Sequence, residues 1–273
     1  MRSTASTPSF AQLFGAFALA ALGTALLMAT DLLLPNVTQS GLQQNAVRLA
    51  ILAVILYGAW LALTRAQLSA RARLTAWLAI IVPLLVWQSV VWWLALAGAP
   101  LLPLAIVLPP LIGLPILLKS NAIGQMLDAT PPSWLVGLQV YRVFGSVFLT
   151  GWLAGNLPVI PAVPAGAGDT LVGLLALPVA LLLASQARGA RGVAVAWNVL
   201  GILDLVDAVT LGALTTACAL PYPLVLIPAF AVPLSVMLHA VSLRQLRRLA
   251  RRDVTGLALS TDQLASPLAA QRG

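Results

Sequence analysis

The chain has 273 residues, 60% of them hydrophobic and only 8% charged, whereas a soluble domain usually carries about 25% charged residues. So few charges cannot clothe a water-facing surface, which argues against an ordinary soluble enzyme or a nucleic-acid-binding domain and points to an all-α, polytopic transmembrane helical bundle. The formal charge of +8 is then a topology signal, because the arginines sit at the ends of apolar stretches.

A bilayer core about 30 Å thick takes about 20 mostly apolar residues per helix, and the sequence offers eight such segments. The first, 10–34, is preceded only by Arg2 and the amino terminus as positive charge. Its apolar run exceeds the roughly 7–15 residues of a signal peptide, so it reads as a retained span. The second is 46–63. The third, 74–97, contains Pro83 and places Gln88 among Trp87, Trp92 and Trp93, where a cross-helix hydrogen bond is expected. The fourth, 101–118, is crowded with Pro109, Pro110 and Pro115, and seven spans plus a re-entrant segment is the alternative count. The fifth, 134–153, carries Gln139, Arg142, Ser146 and Thr150 along one stripe. The sixth, 170–184, is short and follows "PAGAGDT", in which Asp169 stands where a helix N-cap belongs or at the edge of an outer vestibule. The seventh, 193–215, holds Asn198, Asp204 and Asp207, and the eighth, 220–243, holds His239. Beyond it, "LRQLRRLARR" is followed by 254–273, which lacks a long apolar run and reads as a flexible cytoplasmic tail.

Of the 15 basic residues, only Arg48 falls at the opposite side, at the very start of the second span, and only Arg142 deep within a span; the others share one side. By the positive-inside rule that side is cytoplasmic, and both termini lie there. The Ala-, Leu- and Arg-rich composition suggests a bacterial plasma (inner) membrane. Residues 1–253 form one transmembrane domain, with loop lengths that admit a 4+4 division into 1–128 and 129–253, as internal repeats in transporters do.

Polar residues inside the spans carry the functional expectation. A central Asp costs about 2.5–3.5 kcal/mol on the insertion scale, so Asp204 and Asp207 cost roughly 5–7, close to what the Leu, Ile and Val residues of their span return. Both carboxylates must therefore face the bundle interior, and a separation of 300° about the axis puts them on one face. Arg142, equally costly and always charged, is the natural partner: one aspartate holds it and the other exchanges a proton. Gln139, Arg142, Asn198, Asp204, Asp207 and His239 are accordingly the candidate binding or proton-relay residues, with Asp169 as the candidate of the outer vestibule.

The absences are specific. The chain has no G-x-x-x-x-G-K-[ST], hence no P-loop. One His, one Cys and no Glu make no familiar zinc or di-iron site, and one cysteine gives no intrachain disulfide. Neither a cofactor nor a metal is expected, and no nucleic acid. For serine hydrolysis Ser146 and His239 are the only pair of interest, and "FGSVF" lacks the G-x-S-G of rhomboid-type proteases. The sequence expectation is a small-solute or ion transporter with an intramembrane Arg/Asp site. The alternatives are an intramembrane enzyme acting on a lipid or isoprenoid substrate and a structural or accessory membrane protein. Besides the bilayer, the partners expected are an unknown small molecule or ion and anionic lipid headgroups at the Arg-rich C-terminal segment.

Overall fold

The computed structural model describes residues 42–66, 68–96, 102–215 and 224–270. The expected first span, 10–34, lies outside the described residues, as do Arg2 and Arg272. Among the described residues every regular element is helical. In chain order they are α1 (Leu42–Arg65), α2 (Ala70–Leu96), α3 (Leu102–Lys119), α4 (Asn121–Ala129) and α5 (Pro132–Leu138). A 3₁₀ segment (Gln139–Gly145) leads into α6 (Ser146–Leu153), followed by α7 (Val159–Ala184), α8 (Ala190–Leu214) and α9 (Leu226–Ala270).

Five of these helices are long and apolar enough to cross a membrane, and a sixth candidate is the pair α3 and α4, bent by 83° at their junction. A helix such as α8, with 25 residues, reaches about 37 Å at 1.5 Å per residue, more than a hydrocarbon core requires. The bend after α3 has a local cause. Ser120 leaves the helical region, and its Oγ accepts from Ile123 N–H, starting a new helix in a new direction. That helix is amphipathic: it buries Ile123 and Met126 against Leu63, Ala66 and Ala76 from the facing ends of α1 and α2.

Two expectations are corrected. The fifth segment is not one regular helix. Its middle tightens into the 3₁₀ segment, and residues 139–148 are buried without interruption, so this stretch is a central post surrounded by other helices. The sixth is not short: past a break at Ile160, α7 is helical from Pro161, and Gly166 in "PAVPAGAG" lies against that post, where a Cβ would stand 3.2 Å from the carbonyl oxygen of Gly145. A Cβ on Gly173 would stand 2.5 Å from the backbone nitrogen of Val143, so glycine there permits backbone-to-backbone contact. Residues 254–270 continue α9 as helix, which their Ala and Leu content favours.

The periphery is built differently. Leu74, Leu78, Val82, Leu85, Val86 and Trp93 on α2 are all exposed, the apolar outer face that a helix in lipid presents. Gln88, expected to bond across helices, leaves its buried Nε2 without a partner among the described residues; the cross-helix bond is made by its neighbour, Trp87 Nε1 donating to Ala229 O at 3.1 Å. Around the post, Tyr141, Phe144, Val147 and Phe148 pack with Ile51, Ile55 and Phe230. On its other side, Val136 meets Val172, Ala176 and Trp197.

Candidate functional site

The 3₁₀ segment explains how a charge is held in the middle of this bundle. With three residues per turn, side chains at i and i+3 eclipse one another, so Gln139, Arg142 and Gly145 share one edge of the post. Gly145 leaves the space above Arg142 open, and Asp169 of α7 fills it: a Cβ on Gly145 would overlap the Asp169 side chain. Arg142 Nε donates to Asp169 Oδ1 at 2.7 Å, and Nη2 lies 2.7 Å from the same oxygen. Nη2 also donates to Asp204 Oδ2 of α8. Nη1 donates to the carbonyl of Gly201 at 3.2 Å and faces His239 Nε2 of α9 at 3.0 Å.

The histidine tautomer follows from its neighbours. A guanidinium only donates, so His239 Nε2 accepts. On the other side of the ring, Nδ1 lies 2.9 Å from Asn198 Oδ1. The Asn198 amide orientation is set by its own Nδ2, which donates to Ala194 O at 2.7 Å and to Ser242 Oγ at 3.1 Å, so Oδ1 must accept from Nδ1–H. Two independent constraints therefore give a neutral imidazole with its proton on Nδ1. Trp197 flanks the ring, its centroid 5.1 Å away.

Close backbone approach makes the cluster compact. A Cβ on Gly201 would run into the His239 ring, and one on Gly168 into the Asp204 carboxylate. Glycine at these two positions lets α7, α8 and α9 converge on one guanidinium.

The candidates from sequence are thus sorted. Arg142, Asn198, Asp204 and His239 are brought together. Asp169 joins them and is not an N-cap, since α7 begins well before it; it is the second carboxylate on Arg142. Asp207, expected on the same buried face as Asp204, is exposed, because the interhelical contact of α8 is centred on Asn198, Gly201 and Asp204, one stripe at i, i+3 spacing. Gln139 is buried, yet neither its Oε1 nor its Nε2 has a partner among the described residues, and the same holds for Ser146 Oγ. With both ring nitrogens of His239 engaged, it offers Ser146 no base. The Gly201 carbonyl and Ser242 were missed. The i, i+3 spacing of Asn198 to Gly201 and of His239 to Ser242 is the signal that could have found them. Among the described residues no group of three His, Cys, Asp or Glu is placed to hold a metal ion.

The electrostatics are unbalanced. One guanidinium faces two carboxylates, so the cluster carries one negative charge in excess unless a proton or another cation joins it. The burial is unequal as well: the Arg142 side chain is 1% exposed, those of Asp169 and Asp204 20% and 13%. The cation is sealed in, while the acids keep an accessible side.

Residues 99–247 match the family described as a domain of unknown function (DUF8737). The chain belongs to this family. The DUF8737 region contains every residue of the cluster, from Arg142 to Ser242, and the whole of the central post. No curated protein and no solved structure matches the chain.

Proposed function

We propose that this protein is a multi-pass transporter of a small solute or ion, with eight spans and both termini in the cytoplasm of a bacterial inner membrane. Its proton-exchanging group is the aspartate pair Asp169 and Asp204. The observation that carries this reading is the surplus carboxylate: two acids share one guanidinium, and the acids are the accessible members of the cluster. Arg142 acts as a fixed counter-charge, because its nitrogens are already directed at Asp169, Asp204, Gly201 O and His239. It holds no substrate anion in this arrangement. A proton taken up on a carboxylate oxygen cancels the surplus charge, weakens the hold of that carboxylate on Arg142 and frees α7 or α8 to shift. Its release restores the pair. Such coupling of charge to helix position is the physical content of alternating access.

The test reads the shared proton directly. Infrared difference spectra of the full chain in liposomes, taken on acidification, are expected to show a protonated-carboxyl band. Asp169→Asn and Asp204→Asn should each abolish it, because either change leaves a one-to-one pair with Arg142, whereas Asp207→Asn should leave it in place. Proton-driven uptake of a solute should be lost in the same two variants. A spectrum in which neither variant alters a carboxyl band sinks the proposal.

One observation favours a second reading, a cluster that only fixes helix packing: the hydrogen bonds of Arg142 reach α7, α8 and α9 together. In that case both Asp→Asn variants lower stability and leave the infrared spectrum unchanged.

A further inference from the structure

Away from the cluster, the junction of α3, α4 and α9 forms an open pocket of about 350 Å³ lined by Lys119, Ser120, Asn121, Gln125, Arg244 and Arg248, with Asp128 at its side. Arg248 Nη1 donates to Asp128 Oδ1 at 2.7 Å, so that charge is matched. No ion pair of Lys119 or Arg244 occurs among the described residues, and the cavity keeps a surplus of two positive charges. Its shape is fixed from two sides. The 83° bend after Lys119 turns α4 away from α3, and Gln245 Nε2 donates to the carbonyls of Leu127 and Thr130, pinning α4 to α9. The volume is in the range of small-ligand sites.

The surroundings define the ligand further. Ile112 and Ile116 are 58% and 60% exposed. On α3 they stand two turns and one turn before its end at Lys119, on one face by their i, i+4 spacing. A basic, hydrogen-bonding cavity thus caps an exposed apolar strip. A soluble anion would use only the first; a phosphate-bearing amphiphile uses both.

We propose that this cavity binds the headgroup of an anionic phospholipid, with Lys119 and Arg244 on the phosphate and an acyl chain along Ile112 and Ile116. The proposal is independent of the transport reading. It replaces a diffuse attraction along the arginine-rich segment, worth about 1 kcal/mol per basic residue, with a site of defined membership. Charge-assisted contacts to phosphate are directional, so the site should discriminate between arginines only one turn apart.

The test uses the full chain in a nonionic detergent, with the thermal midpoint followed by tryptophan fluorescence. Short-chain phosphatidylglycerol, phosphatidylcholine of equal chain length and inorganic phosphate are titrated separately. Phosphatidylglycerol is expected to raise the midpoint saturably and phosphatidylcholine to have little effect. In Lys119→Gln/Arg244→Gln the half-saturating concentration should rise roughly tenfold or more. Arg247→Gln, which removes an exposed charge on the same helix outside the cavity, should match the wild type. Equal responses to the two lipids, or equal weakening by Arg247→Gln, overturn the site. Inorganic phosphate reproducing the full shift overturns the lipid assignment in favour of a soluble phosphate compound. Should the double variant be unstable, Lys119→Arg, which keeps the charge, must retain the phosphatidylglycerol response.

Discussion

Arg142 and Arg248 each hold an aspartate oxygen at 2.7 Å, and the two pairs have little else in common. The Arg142 side chain is 1% exposed and serves two acids from two helices; Arg248 and Asp128 are 43% and 46% exposed and form a single pair at the rim of the bundle. Distance alone does not rank ion pairs. Where water still solvates both partners, the Coulomb gain nearly cancels against lost hydration and side-chain entropy, leaving about 0–1 kcal/mol. Where water is excluded, the charges were costly to bring in, and the structure depends on each staying matched.

That contrast gives three outcomes in descending order. Arg142→Leu leaves two half-buried carboxylates without their cation and should cost about 3–5 kcal/mol, read as lost folded yield or a lowered midpoint in detergent. Adding Asp169→Asn and Asp204→Asn to it should return part of the loss. If Arg142→Leu is no worse than Arg248→Leu, the contrast between the two regions fails. Gly201→Ala inserts a methyl where the His239 ring stands and should cost about 1–3 kcal/mol through overpacking. It would also part His239 from Arg142, which denaturant titration alongside His239→Ala can separate. Asp128→Asn should cost below about 1 kcal/mol, with the loss shrinking as salt is added; a large, salt-independent loss would mean that the rim pair is coupled to the α4–α9 contact.

Much of this was legible beforehand, for reasons visible in particular residues. The long helices follow from apolar length, since a run such as 190–214 has no other low-energy state away from water. Arg142, Asn198, Asp204 and His239 stood out because ionisable or amide groups in such runs require partners. The spacing misled at Asp207. A 60° separation is compatible with one face or with its edge, and helical geometry alone does not say where the next helix sits. It misled again at Asp169, because prolines and glycines in "PAVPAGAG" resemble a loop when their packing partner is unknown.

Composition and periodicity thus determined helices of membrane-crossing length throughout the described residues and a set of polar residues that had to be paired. These are properties of single helices, fixed by the cost of exposing backbone and apolar side chains. Which acids meet Arg142, the 3₁₀ tightening that aims it and the bend that forms the basic cavity were decided by tertiary structure. They depend on how closely two backbones approach, and that distance is set jointly by residues far apart in the chain, such as Gly145 with Asp169 and Gly201 with His239.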